Sequence, residues 1–344
     1  MHRTSKETEH LRKIVEAFPR VTITVLGDMV ADEFVFGEIS RVSREAPVLI
    51  LRHREREVVP GCGANAVNNL ADLGVNVLPV GIVGNDEPGR LLLRSFRRKR
   101  IPVTGILRNK NYATVTKTRV LAGLPHTWRQ QVVRIDREPQ EPPDRHLQRE
   151  LALATREYLR VSDAMLVSDY GYGAATPQIL SAARGKGQSS SIPVVLDSRH
   201  RLLQFSAITS ATPNEPEVEE ALGIEIGQSW EKLCSAGAEL ITRMKLSSLV
   251  ITRGRDGMVA FPGKNKPVDI AIYGSDQVTD VTGAGDTVIA TFTAALAAGA
   301  SPEDAAHLAN RAAGVVVMKR GTATVLPEEL LDAVAQDSPV TRSH

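Results

Sequence analysis

An α/β fold on a mostly parallel central sheet is predicted by three features of this sequence. Short β-branched or Leu-rich runs alternate with stretches of helical period. Each run is followed by Gly or a polar residue. Two longer half-polar segments interrupt the alternation and carry no helix of their own. Strands alternating with helices place helices on both faces of a parallel sheet, a three-layer α/β/α sandwich. The half-polar segments suit a sheet with one face open to water, and we read them as a small β-sheet lid. Edge strands of the main sheet are the alternative for those segments.

The elements follow in order. Residues 1–20 are charged without an apolar centre, so they are no secretory signal and read as a helical extension. Residues 21–26 form a buried strand that ends at Gly27-Asp28. The first lid segment spans 35–59 and includes Val48-Leu49-Ile50-Leu51. Residues 64–73 are helical, with Val67, Leu70 and Ala71 on one face and Gly74 as the stop. Residues 77–83 form a strand ending near Gly84. The run Arg97-Arg98-Lys99-Arg100 closes a helix, where cations meet the negative end of the dipole, and reads as a solvated terminus. The second lid segment spans 113–135. Helices over 144–160, 229–244 and 286–298 alternate with strands over 164–167, 193–196, 208–212 and 249–252. The last long helix has Ser301 as N-cap, Pro302 at its first position, and Glu303 and Asp304 in its first turn. One domain over 21–330 and a tail over 331–344 complete the reading.

Composition narrows the function. Hydrophobic residues make up 42% but aromatics only 4%, so the core is built from Val, Leu, Ile and Ala. With 42 Lys and Arg against 40 Asp and Glu, the net charge is +2 and gives no reason to expect a nucleic-acid partner. No apolar run nears the roughly 18 residues of a membrane span. Cys62 and Cys234 make no disulfide framework, and no Cys/His cluster has zinc-ligand spacing. A cytoplasmic location is the expectation.

Ligands of open parallel sheets bind beyond the carboxyl ends of the strands. Asp28, Gly84, Asp169, Asp197, Asn214 and Thr252 all fall there. The sharpest signal is Asp280-Val281-Thr282-Gly283-Ala284-Gly285-Asp286, which follows a short strand and opens an apolar helix. Its glycines let consecutive N–H groups face one point, and the helix N-terminus adds its positive dipole end. Developing charge on a transferring phosphoryl group would be stabilised there. Asp286, in the same turn, can take a proton from an attacking hydroxyl. Helix capping alone is the competing explanation. The chain has neither a Gly-x-x-x-x-Gly-Lys-Ser/Thr loop nor the protein-kinase motifs.

Residues 280–286 resemble the C-terminal signature of the ribokinase-like, or PfkB, carbohydrate kinases. Gly61-Cys62-Gly63-Ala64-Asn65 resembles their N-terminal glycine signature, with Cys62 where members often have Gly. Asn214-Glu215-Pro216-Glu217 looks like their Asn-x-x-Glu element, and Thr252-Arg253-Gly254 with Gly257 like their nucleotide loop. Gly27-Asp28-Met29-Val30-Ala31-Asp32, Ser40–Val48, Ser168-Asp169-Tyr170-Gly171 and the tail 309–317 are similar to the heptose-7-phosphate kinases of ADP-heptose synthesis. Tyr172 stands where that subfamily usually has Lys, and Asp197-Ser198-Arg199 replaces Asp-Pro-Lys. The bifunctional members add a nucleotidyltransferase domain with a His-x-Gly-His motif, which this sequence lacks, so the expectation is the kinase half.

The resemblance implies an ATP- and Mg²⁺-dependent sugar kinase, with a monovalent cation as an open further requirement. Asp286 is the base, with the N–H groups of Gly283, Ala284, Gly285 and Asp286 around the moving charge. Asp28, Asp32, Gly61, Gly63 and Asn65 are the sugar-side candidates, with Arg41 and Arg44 on the lid for a substrate phosphate. Asn214, Thr252, Gly254, Gly257, Arg199 and Asn310 are the nucleotide-side candidates. Asn214 and Glu217 are the Mg²⁺ pair, acting mostly through water. Turn formation competes for Asp28 and Asp32, and helix capping for Asn65 and Asn214. Another ribokinase-like substrate, a nucleoside included, and a non-catalytic sugar-binding regulator are the alternatives. A homodimer through exposed lid edges is expected.

Overall fold

Side chains alternate between the two faces of the central strands, and this alternation divides the apolar residues between two cores. The computed structural model describes residues 5–123, 130–185, 192–263, 265–274, 280–319 and 321–336. The strands are β1 Thr22–Gly27, β2 Met29–Val42, β3 Leu49–Cys62, β4 Asn76–Gly84, β5 Ile106–Asn109, β6 Thr116–Gly123, β7 Gln130–Arg137, β8 Ala164–Asp169, β9 Val194–Ser198, β10 Ser210–Ala211, β11 Ser248–Thr252, β12 Met258–Phe261 and β13 Val268–Ile270. The helices are α1 Ser5–Ala17, α2 Gly63–Asp72, α3 Glu87–Arg98, α4 Arg145–Leu159, α5 Pro177–Arg184, α6 Glu215–Leu222, α7 Trp230–Met244, α8 Ala284–Ala297, α9 Pro302–Val317 and α10 Pro327–Ala335.

The main sheet runs β13-β12-β11-β10-β9-β8-β1-β4-β5 and is parallel except at β12 and β13. From β1, Ile23 and Val25 enter the core formed with α2, α8 and α9, while Leu26 enters the other. Ala164 and Leu166 of β8 follow the first course, and Met165 and Val167 the second. Leu151 of α4, Ile179 of α5 and Leu240 of α7 complete the second core. Each fully buried aliphatic side chain contributes about 1.5–3 kcal/mol. The three-layer sandwich is therefore written in strand periodicity.

The second sheet runs β3-β2-β6-β7, with β2 parallel to β6 and the other two pairs antiparallel. It is the lid, formed by the two half-polar segments, and residues 124–129 within it lie outside the described residues. Its strands begin closer to the main sheet than read: β2 starts at Met29, two residues after β1 ends.

Two boundaries differ from the sequence reading. The N-terminal extension docks: Leu11, Ile14 and Val15 of α1 are buried, and α1 packs on α10. The helix α10 runs past residue 330 to Ala335, with Ala333 and Val334 buried, and 337–344 lie outside the described residues. So does the short strand expected just before Asp280.

The helix that carries the candidate base is apolar on nearly all sides, as a helix inside a core must be. Phe292 at its middle is fully buried. We expect Phe292→Ala to cost about 3–5 kcal/mol in urea unfolding; a loss below about 1 kcal/mol would contradict this packing.

Candidate active site

Gly283 caps the N-terminus of α8 at φ +82°, a left-handed conformation that glycine adopts at no steric cost. A Cβ there would meet Asn65 Nδ2 at 2.7 Å, so the turn and α2 approach as closely as glycine allows. Asp286 follows in the first turn, 5% exposed. Both its oxygens are held. Asn65 Nδ2 donates to Oδ2 at 2.8 Å, and the Tyr170 hydroxyl donates to Oδ1 at 3.0 Å. Asn65 is itself held: Asn69 Nδ2 donates to its carbonyl at 2.9 Å and its Oδ1 at 3.2 Å, and Thr287 Oγ1 donates to Asn69 Oδ1 at 2.8 Å.

Burial pushes the Asp286 carboxyl up to about 7, against the smaller opposing pull of the Asn65 and Tyr170 hydrogen bonds. A carboxylate poised near neutrality and fixed at both oxygens can act as a general base.

The turn before Asp286 is held by Asp280. Its Oδ1 accepts from Thr282 N at 2.9 Å and its Oδ2 from Gly321 N at 3.1 Å. One expectation needs correcting. Ala284 N donates to Val281 O at 3.2 Å, so it is engaged in the turn rather than free for a phosphoryl oxygen. The early N–H groups of a helix lack intrahelical acceptors, which leaves those of Gly285 and Asp286 for an anion. Ala284 and Gly285 line one cavity together with Thr252, Gly254, Gly257 and Asn310. The structure thus brings four of the six nucleotide-side candidates to the turn, while Arg199 lines a different cavity and Asn214 sits at the start of α6. Asn310 also has a structural task, since its Nδ2 donates to Ala271 O at 2.8 Å.

The sugar-side candidates separate. Asp28 is buried, and its carboxylate accepts from three backbone N–H groups: Tyr170 at 2.9 Å and Tyr172 at 3.0 Å on Oδ2, and Ala174 at 2.9 Å on Oδ1. It is the clamp of the loop that delivers Tyr170, not an open carboxylate at a strand end. Burial, with Asp169 nearby, pushes it up to about 6. Asp32 lies on the lid strand β2 rather than at the end of β1, and it pairs with Arg119 Nη1 at 2.9 Å. Gly61 and Gly63 permit close backbone approach. A Cβ on Gly63 would meet Asp28 O at 2.9 Å, and one on Gly61 the Asp32 carboxylate at 2.6 Å. Cys62 between them has φ +51°, outside the regions favoured by side chains, at a position where glycine would be unstrained.

Arg41 and Arg44 are not brought to the cleft. Arg41 lies nine residues along β2 from Asp32, about 30 Å at strand spacing, and both side chains are exposed at the lid's outer end.

The remaining rim is acidic. Asn214 and Glu217 form a capping box on α6: Glu217 N donates to Asn214 Oδ1 at 2.9 Å, and Asn214 N to Glu217 Oε2 at 2.9 Å. Burial raises the carboxyl of Asp197, with Glu217, Asp286 and Asp169 adding to it, and burial also raises Glu217. Arg199 opposes both shifts. Among the described residues no group of three or more His, Cys, Asp or Glu side chains could hold a metal ion alone. Hard oxygen donors with one cation nearby nonetheless fit Mg²⁺, which keeps several waters and leans on substrate phosphates.

Two site residues escaped the sequence reading, Tyr170 and Lys117, and a third, Asp197, was placed on the rim without a role. Tyr170 and Asp197 sit in strings singled out there, but a tyrosine after a strand has no chemistry until its hydroxyl is seen on Asp286. Lys117, on β6, is buried and donates to Cys62 Sγ at 3.2 Å. Lys117 and Arg119, two apart on a strand, share one face; no pattern says that this face turns inward.

A buried carboxylate in a glycine turn, on the rim of a parallel sheet under a β-lid, is the arrangement expected of a small-molecule phosphotransferase of the sugar-kinase class. Residues 23–329 match the pfkB family of carbohydrate kinases, and the chain belongs to that family. It is 39% identical over 315 residues to the bifunctional protein HldE of Geobacter metallireducens, covering 91% of this chain and 63% of that protein. It is 38% identical over 330 residues to the bifunctional protein HldE of Gluconobacter oxydans, covering 95% and 67%. The chain therefore spans about two thirds of the length of these relatives. Among solved structures, the fold is shared with Arabidopsis thaliana ribokinase complexed with ribose and ATP, at TM-score 0.69 and 20% identity, covering 91% of this chain and 98% of that one. It is also shared with Escherichia coli phosphofructokinase-2 in complex with fructose-6-phosphate, at TM-score 0.72 and 18% identity, covering 93% and 99%.

Asp28→Asn replaces one acceptor oxygen with an NH₂ facing backbone donors. We expect a loss of about 1–3 kcal/mol in urea unfolding for the N–H left unpaired; unchanged stability would contradict the clamp.

Proposed function

We propose that this carbohydrate kinase transfers the γ-phosphate of ATP to the anomeric hydroxyl of D-glycero-D-manno-heptose 7-phosphate. The observation that carries a hydroxyl-acceptor reaction is the Asp286 carboxylate, clasped by Asn65 and Tyr170 beside a cavity lined by its own helix turn. The heptose substrate is supported by the HldE relatives and by the motifs around Asp28, Ser40–Val48 and Asp169.

Asp286 accepts the proton of the acceptor hydroxyl as that oxygen attacks the γ-phosphorus. The new P–O bond forms while the bond to the bridging oxygen breaks and ADP leaves. The Gly285 and Asp286 N–H groups and the positive end of α8 meet the charge that develops on the transferring group. Thr252, Gly254, Gly257 and Asn310 border the nucleotide. Arg199 offsets phosphate charge. Asp197, Asn214 and Glu217 would hold Mg²⁺, largely through water; the ion, when bound, neutralises phosphate oxygens. A monovalent cation remains a separate assay variable. The two cysteines are free, in keeping with a cytoplasmic reaction.

A lid-to-lid homodimer is the second part of the proposal. β7 is an edge strand exposed along its whole length, and Val133 and Ile135 share one of its faces at 46% and 57% exposure. Such an edge calls for a cover. Sedimentation should give a dimer that Val133→Asp with Ile135→Asp converts to monomer. A wild-type monomer at micromolar concentration would remove this part.

Asp286→Asn should lower kcat by about 10²–10⁴-fold with little change in ATP affinity. Asp286 works only when ionised, and its carboxyl is raised to about 7. Wild-type kcat/KM for the sugar should therefore rise about tenfold per pH unit below 7 and level off above it. A full-rate Asp286→Asn enzyme would refute the base assignment. Assays with heptose 7-phosphate, fructose phosphates, ribose and adenosine test the substrate, and preference for an unphosphorylated acceptor would refute the heptose reading.

A further inference from the structure

Cross-strand register places Asp32, Lys117 and Asp136 side by side on one face of the lid, since Lys117 pairs with Asp32 across β2–β6 and with Asp136 across β6–β7. Arg119 and Arg134 lie two residues along on the same face. Two carboxylates thus meet three cations, and both carboxylates are taken by arginine. Asp32 pairs with Arg119 at 2.9 Å, and Asp136 is held by Arg134 at 2.7 and 2.5 Å. Among the described residues no carboxylate lies within ion-pair distance of Lys117. Its Nζ donates to the Cys62 thiol, a weak acceptor, and rests 5.3 Å from the Tyr170 ring centroid and 5.7 Å from that of Tyr172.

Lys117 is only 6% exposed and feels Asp136 and Asp286 from beyond ion-pair distance, so its ammonium is incompletely neutralised and a ligand anion would complete the site. Lys117 lines a cavity of about 690 Å³ with the cations Arg134 and Arg199, the rings of Tyr170 and Tyr172, and the carboxylates Asp136, Glu138 and Glu141, of which Asp136 is taken by Arg134. That cavity is next to the reacting centre, because the Tyr170 ring beneath Lys117 carries the hydroxyl that donates to Asp286.

We propose that Lys117 is the residue that selects a phosphorylated acceptor, binding the phosphate monoester of the sugar in the cavity that Tyr170 shares with it. The two tyrosine rings hold the ammonium by their faces and leave its remaining donors for phosphate oxygens. The inference rests on the proposed sugar-phosphate reading of the same site, and it moves the phosphate contact from the distant Arg41 and Arg44 to the root of the lid.

The test compares wild type, Lys117→Met and Lys117→Arg on heptose 7-phosphate and on the unphosphorylated heptose. The wild type should prefer the phosphorylated sugar. Lys117→Met should raise its KM about 10- to 100-fold with a smaller change in kcat, the size of one charge-assisted contact, and should lower the phosphorylated-to-unphosphorylated ratio of kcat/KM equally. Lys117→Arg should recover most of that ratio. Equal losses on both sugars would overturn the proposal and assign Lys117 to the field at Asp286. If Lys117→Met does not fold, calorimetry on wild type and Lys117→Arg decides. Binding of the phosphorylated sugar no tighter than the unphosphorylated one to both proteins overturns the proposal. If wild type turns over a different phosphorylated sugar, the heptose reading fails and the ratio is measured on that pair. A wild type indifferent to sugar phosphorylation overturns this inference whatever the sugar.

Discussion

The hydrogen bond from Asn65 Nδ2 to Asp286 Oδ2 joins residues 221 positions apart and sets the geometry on which the site depends. It requires α2 and α8 to pack side by side, and Gly283 to lack the Cβ that would strike Asn65. Gly63 in turn lets α2 start against the end of β1. Tyr170 closes the other oxygen of Asp286, and its loop is held by Asp28. Four segments distant in the chain converge on one carboxylate. The burial that results is also what raises its proton affinity to the range where a base is useful.

The lid divides its chemistry by face. One face, in register with Asp32, Lys117 and Asp136, carries charge toward the cleft; the other, in register with Thr118 and Ile135, mixes the Glu33–Arg56 ion pair with Val133 and Ile135. This is a sheet with two different surfaces, as the half-polar alternation implied.

Much of the fold was legible in the sequence, and for a local reason. Short apolar runs with polar ends mark parallel strands wherever they occur, and the sheet order then follows from a small set of allowed crossovers. The turn around Gly283 was legible because glycines and Asp286 are neighbours in the chain. Partners were not legible. Nothing in Asp28-Met29 states that the carboxylate faces three amides from residues 170–174, so a structural clamp read as an open ligand. Lys117 lies among threonines on a lid strand whose inward face only register reveals. Arg41 and Arg44 failed for the converse reason: their charge suggested a phosphate, while strand length carried them away from it. The engaged N–H of Ala284 belongs to a turn geometry that composition does not specify.

In the proposed reaction the clasped carboxylate of Asp286 receives the acceptor proton while the first turn of α8 faces the transferring phosphate. A crystal structure with ADP, Mg²⁺, aluminium fluoride and the sugar phosphate tests this most directly. An acceptor oxygen is expected within about 3 Å of the Asp286 carboxylate, with the fluoride ligands against the Gly285 and Asp286 amides. An acceptor oxygen bound to another group, with Asp286 still held by Asn65 and Tyr170 away from it, would rule Asp286 out as the base.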